Sequence, residues 1–398
     1  MVERAYIPET IDDVTPGWLS EVLKEHPSFD QAEIVHVARE RLGDGQGFMG
    51  DVYRLSFDYG KPCAAPGSLV VKIPKLENRA MGEMLGTYER ENMFFETLGA
   101  DVPIRIPACY FGAFDRDRGS ENQQEILAFA DKLPTFLTKH MGTFGLWVAG
   151  RKRRRYILLI EDIKDAKGGD QVLGTSPQDC EKILQSVART HAAFWRSPEL
   201  DGHFWLLPQD IDQRMRFQTF LKSRESFKNL FPDLLEAGLQ PYVDWLEARG
   251  ADLLTTLYRE APETLVHSDL RLDNVLLEDS VGDGVVLLDW QLVRRGAAAY
   301  DVAYFLSGGL KVAEGPDVVD GLLESYHQAL CDAGVEGYSF ETFRRDYQRA
   351  VLVVLQTLTS IDQVELGEDR GKELMHSWMR RLLARLQGID PDGVMRRQ

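Results

Sequence analysis

Between Ala32 and Lys75 apolar residues come in short runs: Ile34, Val35 and Val37, then Val52-Tyr-Arg-Leu-Ser-Phe57, then Leu69-Val-Val-Lys-Ile73. Alternation with a period of two puts the apolar side chains on one face of a pleated strand, so three antiparallel strands are predicted here. Ahead of them, Thr15-Pro16-Gly-Trp-Leu19 sets a capping residue before a proline at the first helical position, which opens a short helix to about Lys24. From Arg79 to Leu98 the period lengthens. Met84, Leu85, Tyr88, Phe94, Phe95 and Leu98 form one stripe, and Gly99 closes the predicted helix. Ile104–Phe111 and Tyr156–Ile160 read as two more strands with a polar loop between them.

Beyond Ile163 the pattern is mostly helical. Ser176-Pro-Gln-Asp179 resembles a capping box, and it precedes a stripe of Ile183, Leu184, Val187, Ala188, His191, Phe194 and Trp195. His191 is expected to be a core histidine satisfied by one hydrogen bond. Further helices are predicted near 209–228, 233–259, 298–307, 316–333, 340–361 and 370–387, with no internal repeat. A sheet-rich part followed by a larger helical part is an α+β arrangement.

One loop interrupts the helices. His267-Ser-Asp-Leu-Arg-Leu-Asp-Asn274 follows an apolar stub, Leu265-Val266, and a second apolar strand, Val285-Val-Leu-Leu288, ends on Asp289. An Asp or Asn after a strand usually just tightens a turn. The conjunction of His-x-Asp-x-x-x-x-Asn with a downstream strand ending in Asp instead points to phosphoryl transfer. In that chemistry Asp269 accepts the proton of an attacking hydroxyl, while Asn274 and Asp289 hold magnesium, for which hard oxygen donors are suited. His267 is expected to position the loop beneath Asp289, and Asp273 to shape the turn. Arg271 sits where a cation reaches the γ-phosphate, or else it caps an acidic loop.

The other parts of a nucleotide site lie upstream. Gly45-Gln-Gly47-Phe-Met-Gly50-Asp-Val52 fits Gly-x-Gly-x-x-Gly-x-Val, whose glycines let the backbone close over phosphates. Lys72 is a charge inside an apolar strand, a costly placement unless it is paired. Glu91 is its natural partner, with Glu89 competing. These parts give an expected bilobal protein-kinase-like fold with a small antiparallel-sheet N-lobe and a mainly helical C-lobe. The expected organisation is a lead-in over 1–30, a nucleotide-binding lobe over 31–162, and a catalytic and acceptor-binding lobe over 163–398.

Composition narrows the partners. The formal charge of −17 argues against nucleic acid, which is bound by net basic surfaces, so Arg151-Lys-Arg-Arg-Arg155 is expected to be a solvated run. Cys63, Cys109, Cys180 and Cys331 are scattered without a metal or disulfide spacing. No apolar stretch is long enough for a membrane span, and the expected location is the cytoplasm. Trp205, Trp290, Tyr300, Tyr304 and Trp378 are candidate aromatic walls for an acceptor, although core packing explains such residues more often.

Taken together, the chain resembles the aminoglycoside phosphotransferase and choline kinase-like superfamily, and within it the ecdysteroid-kinase-like branch. The resemblance rests on Thr15-Pro-Gly-Trp-Leu19, the glycine loop, Val71-Lys72, Arg90-Glu91, Leu159-Ile-Glu-Asp-Ile163, His191-Ala-Ala-Phe-Trp195, His267-Ser-Asp269 with Asn274, Asp289-Trp-Gln291 and Tyr300-Asp-Val-Ala-Tyr304. It implies ATP- or GTP-dependent phosphorylation of a small-molecule hydroxyl. It also implies a hinge around Ile160 to Ile163, including Glu161 and Ile163, whose backbone meets the base, and a structural Asp301. Ser268 and Trp290-Gln291 depart from the protein-kinase pattern, and no Ala-Pro-Glu follows, which disfavours an atypical protein kinase. Intact Lys72, Asp269, Asn274 and Asp289 disfavour the other alternative, a nucleotide-binding pseudokinase scaffold.

Overall fold

A computed structural model of the chain describes residues 6–43, 50–76, 78–116, 122–133, 154–164, 166–278, 284–361 and 369–396. The chain divides into two compact units. The first comprises Met1–Asp101, Ile106–Glu121 and Lys139–Asp165. Its centre is an antiparallel sheet in the order β1-β2-β3-β5-β4, built from β1 (Ile34–Leu42), β2 (Gly50–Tyr59), β3 (Ser68–Pro74), β4 (Cys109–Phe114) and β5 (Tyr156–Glu161). The alternating runs explain the first three strands: Leu55, Leu69 and Val71 are fully buried in one core. Helix α1 (Pro16–Leu23) adds Leu19 and Leu23 to that core, and Thr15 caps it by accepting the Trp18 amide at 3.2 Å.

Two expectations need correcting in this unit. The stripe from Arg79 to Leu98 forms two helices, α2 (Arg79–Leu85) and α3 (Thr87–Thr97), because Gly86 takes φ 68°, a left-handed conformation that ends one helix and starts the next. The strand expected from Ile104 begins only at Cys109, since Pro103 and Pro107 break the ladder.

The second unit comprises Val102–Arg105, Asn122–Thr138 and Ala166–Gln398. The loop expected between the last two strands contains helix α4 (Gln123–Lys132), which belongs to this unit; good helix formers outweigh its polarity. A three-stranded sheet runs β6 (Lys167–Gly168), β8 (Val275–Leu277), β9 (Val285–Leu287), and β7 (Glu263–Val266) pairs antiparallel with β10 (Arg294–Ala297). The expected helices are present as Pro177–Ala193, Gln213–Leu230, Gln240–Glu260, Ala298–Gly309, Pro316–Asp332, Phe340–Thr359 and Asp369–Leu386. Ala298–Gly309 is buried along its whole length, as an apolar helix packed on every side must be. At Gly308 an added Cβ would collide with the Gln171 amide and the Trp378 ring. Among the described residues no helix is long and apolar enough to cross a membrane.

Candidate active site

In the first unit, the register places Lys72 in the middle of β3, opposite Val52 on one side and Leu158 on the other. Its ammonium lies 2.6 Å from a Glu91 carboxylate oxygen, with side chains 19% and 9% exposed. Glu89 takes a different partner, Arg154, at 2.8 Å. The two glutamates are two positions apart on α3, about 200° around a helix, so they cannot share one face. Gly50 begins β2 opposite Pro74. Gly45 and Gly47 lie outside the described residues.

At the end of β5, Glu161 exchanges hydrogen bonds with Ala108: its N–H donates to the Ala108 carbonyl at 2.8 Å and its carboxylate accepts the Ala108 N–H at 3.1 Å. Asp162 fastens this segment to the sheet by accepting from Ser68 Oγ at 2.6 Å and Arg54 Nε at 2.9 Å. Ile163 follows, partly buried, outside any regular element. Of the basic run, Arg155 grips both oxygens of Asp115 at 2.9 Å, and Arg154 lies 5.2 Å from the Tyr156 ring centre. Both described arginines therefore have structural employment.

In the second unit, the loop after β7 is held from below by Asp301. This fully buried carboxylate accepts the His267 N–H at 2.6 Å and the Ser268 N–H at 2.9 Å. Two successive amides aimed at one carboxylate help to hold Ser268 in the left-handed region at φ 66°. His191 has two partners where one was expected: Nδ1 meets the Tyr326 hydroxyl at 2.7 Å, and Nε2 lies 3.3 Å from Asp301. His267 Nε2 donates to the Leu288 carbonyl at 2.9 Å, so its Nδ1 is left to accept the Asp269 N–H at 3.3 Å. The imidazole thus fixes the loop beneath Asp289, as expected.

The Asp269 carboxylate is gripped on both oxygens. Tyr304 donates its hydroxyl to Oδ1 at 3.1 Å, and Asn274 donates Nδ2 to Oδ2 at 3.0 Å. Arg271 stands 3.6 Å from Oδ2 and 3.4 Å from Asp273. Burial pushes the Asp269 pKa up, and the charge of Asp289 adds to the rise against the opposing pull of Arg271. For Arg271, burial works against the charge, but Asp269 and Asp273 outweigh it and its pKa rises. The second strand stops at Leu287, two residues short of Asp289, which takes φ 64°, and the Leu288 N–H donates to the Asn274 carbonyl at 2.9 Å, tying the two candidate metal ligands together through the backbone. Gln291 Nε2 donates to an Asp289 oxygen at 3.2 Å.

Pattern reading overlooked two contributors. Gln171, buried, accepts the Leu272 N–H at 2.7 Å on its side chain and gives its own N–H to Asp273 at 3.1 Å. In the sequence Tyr304 stands among the candidate aromatic walls and at the end of Tyr300-Asp-Val-Ala-Tyr304, with no role toward Asp269. Its position three residues after Asp301, on the same face of one helix, was the available signal. Trp205, Trp290 and Trp378 are 3%, 1% and 4% exposed and pack as core.

The segment carrying this loop is similar to a known family. Residues 147–340 match the phosphotransferase enzyme family. That segment contains Asp269, Asn274 and Asp289, and none of the curated proteins matches the chain. Among solved structures, a choline kinase from Cryptosporidium parvum is similar at 11% identity and a TM-score of 0.51, over 96% of this chain and 94% of that one. An amicoumacin kinase solved with AMP-PNP and Ca2+ is similar at 9% identity and a TM-score of 0.49, over 90% and 92% of the two chains. The GDP and kanamycin complex of APH(2″)-IIIa is similar at 16% identity and a TM-score of 0.49, over 90% and 98%. The fold is protein-kinase-like and α+β, with an antiparallel sheet in one unit and a mostly helical remainder.

Proposed function

We propose that this chain is a small-molecule kinase that transfers the γ-phosphoryl group of ATP or GTP to a hydroxyl of a small organic acceptor. The observation that carries the reading is the Asp269 carboxylate, buried, gripped on both oxygens and set beside Arg271 within the segment that matches phosphotransferases. A loose phosphoryl transition state asks a protein for positioning and charge stabilisation more than for covalent chemistry. Asp269 orients the acceptor hydroxyl and takes its proton as the new oxygen–phosphorus bond forms and the bond to the leaving diphosphate breaks. Arg271 meets the charge developing on the transferred group. Lys72, held by Glu91, orients the α- and β-phosphates, Gly50 at the start of β2 lets the backbone approach them, and the backbone from Glu161 to Ile163 meets the base.

The donor set suits magnesium. Asn274 commits its amide nitrogen to Asp269, which leaves its carbonyl oxygen as a hard donor, and Asp289 supplies a carboxylate tied to it through Leu288. Bound there, the metal would neutralise charge on the triphosphate. Four free cysteines support a reducing, cytoplasmic setting.

The test is a nucleotide-consumption screen of the purified chain with magnesium and ATP or GTP. The acceptors are amino sugars, choline-like amines, simple alcohols, macrolides and sterols. One class should stimulate consumption in step with a phosphorylated product seen by mass spectrometry. Nucleotide binding without consumption across the panel would favour a scaffold instead.

A further inference from the structure

We infer that Tyr304 is a positioning residue for the catalytic base: its hydroxyl selects the orientation of the Asp269 carboxylate and thereby the lone pair left for the acceptor. The inference rests on the reading of Asp269 as that base. It begins with a question of residue type. The Tyr304 ring stacks on Tyr300 at 5.7 Å and meets Trp378 edge-on at 4.9 Å, work that a phenylalanine ring would do as well. What phenylalanine lacks is the hydroxyl, and in a residue only 9% exposed an unpaired hydroxyl is a cost that a core position does not need. Here it has one partner of consequence, Oδ1 of Asp269.

A carboxylate on a loop is free to turn about χ2 unless both oxygens are held. Asn274 alone fixes Oδ2 and leaves the plane of the group able to pivot about that bond. Tyr304 supplies the second point from a different element, and the two donors together define the plane. The element matters. Ala298–Gly309 is buried throughout, and the same helix presents Asp301 to the His267 and Ser268 amides. One rigid helix thus sets both the backbone of the catalytic loop and the side chain at its tip, keeping the base within the narrow tolerance that near-attack geometry demands. Burial and the nearby Asp269 charge both hold the Tyr304 phenol protonated, so it stays a donor.

The test is a double-mutant cycle between Tyr304→Phe and Asp269→Asn. The readout is magnesium-dependent hydrolysis of ATP, with water as the acceptor, under single-turnover conditions with enzyme in excess. Binding of a non-hydrolysable ATP analogue is measured for each variant. Asp269→Asn alone should lower the rate by about 10²- to 10⁴-fold. Tyr304→Phe alone should lower it by roughly 10- to 100-fold with analogue affinity within about twofold of wild type, and should change the Asp269→Asn rate by less than about threefold, because there is no longer a carboxylate to aim. Loss of the same factor in both backgrounds would mean that Tyr304 acts on the structure at large, and a wild-type rate in Tyr304→Phe would mean that its hydroxyl does nothing; either result overturns the inference while leaving the base reading intact. A wild-type rate in Asp269→Asn removes the base reading and the inference with it. Should Tyr304→Phe not fold, 3-fluorotyrosine installed at position 304 retains ring and donor. A rate within about threefold of wild type is then expected, and a loss as large as tenfold counts against the inference.

Discussion

His267 Nε2 donates to the carbonyl of Leu288 at 2.9 Å, and this bond joins the loop that carries Asp269 to the segment after β9 that carries Asp289. Two acidic groups on separate elements are brought to a common site by an imidazole whose other nitrogen receives the Asp269 amide. The arrangement makes the two aspartates separable by mutation.

Asp289→Ala should abolish magnesium-dependent nucleotide turnover and leave the fold intact. Its carboxylate sits past the end of β9, and the strand pairing of Val275 with Leu287 does not depend on it. Turnover measured across a magnesium titration decides the matter. Wild-type rates at saturating metal and nucleotide would remove Asp289 from the metal-binding set.

Lys72→Ala should raise the Michaelis constant for nucleotide and lower kcat, by roughly 10- to 100-fold in kcat/KM, since the proposed role of the ammonium is to orient phosphates rather than to make a bond. Glu91→Gln should do the same more mildly. Glu89→Gln should leave the nucleotide constants near wild type, because Glu89 is paired with Arg154. Steady-state kinetics on the three variants check the assignment, and an effect of Glu89→Gln equal to that of Glu91→Gln would contradict it.

Asp301→Ala should destabilise the protein by about 2–5 kcal/mol, because it strands two buried backbone N–H groups and one face of His191. Activity should fall with it. Urea unfolding gives the number directly, and a midpoint unchanged from wild type would show that the loop has other support.

Alkylation should separate the cysteines. Burial pushes the Cys109 and Cys180 thiols up to about 12, whereas Cys63 is exposed. With iodoacetamide near pH 8, peptide mapping should find Cys63 modified first, and Cys180 only after denaturation. Early modification of Cys180 in the native protein would be the contrary result.

Much of this was legible in the chain before any coordinates. Alternation through Val52–Phe57 and Leu69–Ile73 determined β2 and β3, since a period of two leaves only one face to bury, and the apolar stripes after Ser176 determined the long helices. The spacing from His267 to Asn274, with Asp289 beyond, picked out residues that the fold places together through Leu288. Tertiary structure decided the rest. Glu89 and Glu91 are equivalent as letters, and only the break at Gly86 and the packing of α3 send one to Lys72 and the other to Arg154. Tyr304 reads as one more aromatic residue in an apolar helix, because a hydroxyl leaves no trace in hydrophobic periodicity. Its bond to Asp269 spans 35 positions and exists only once the helix is packed against the loop, as does the chain from Tyr326 through His191 to Asp301. Periodicity records which face of an element is buried, whereas hydrogen bonds between distant elements depend on how those faces meet.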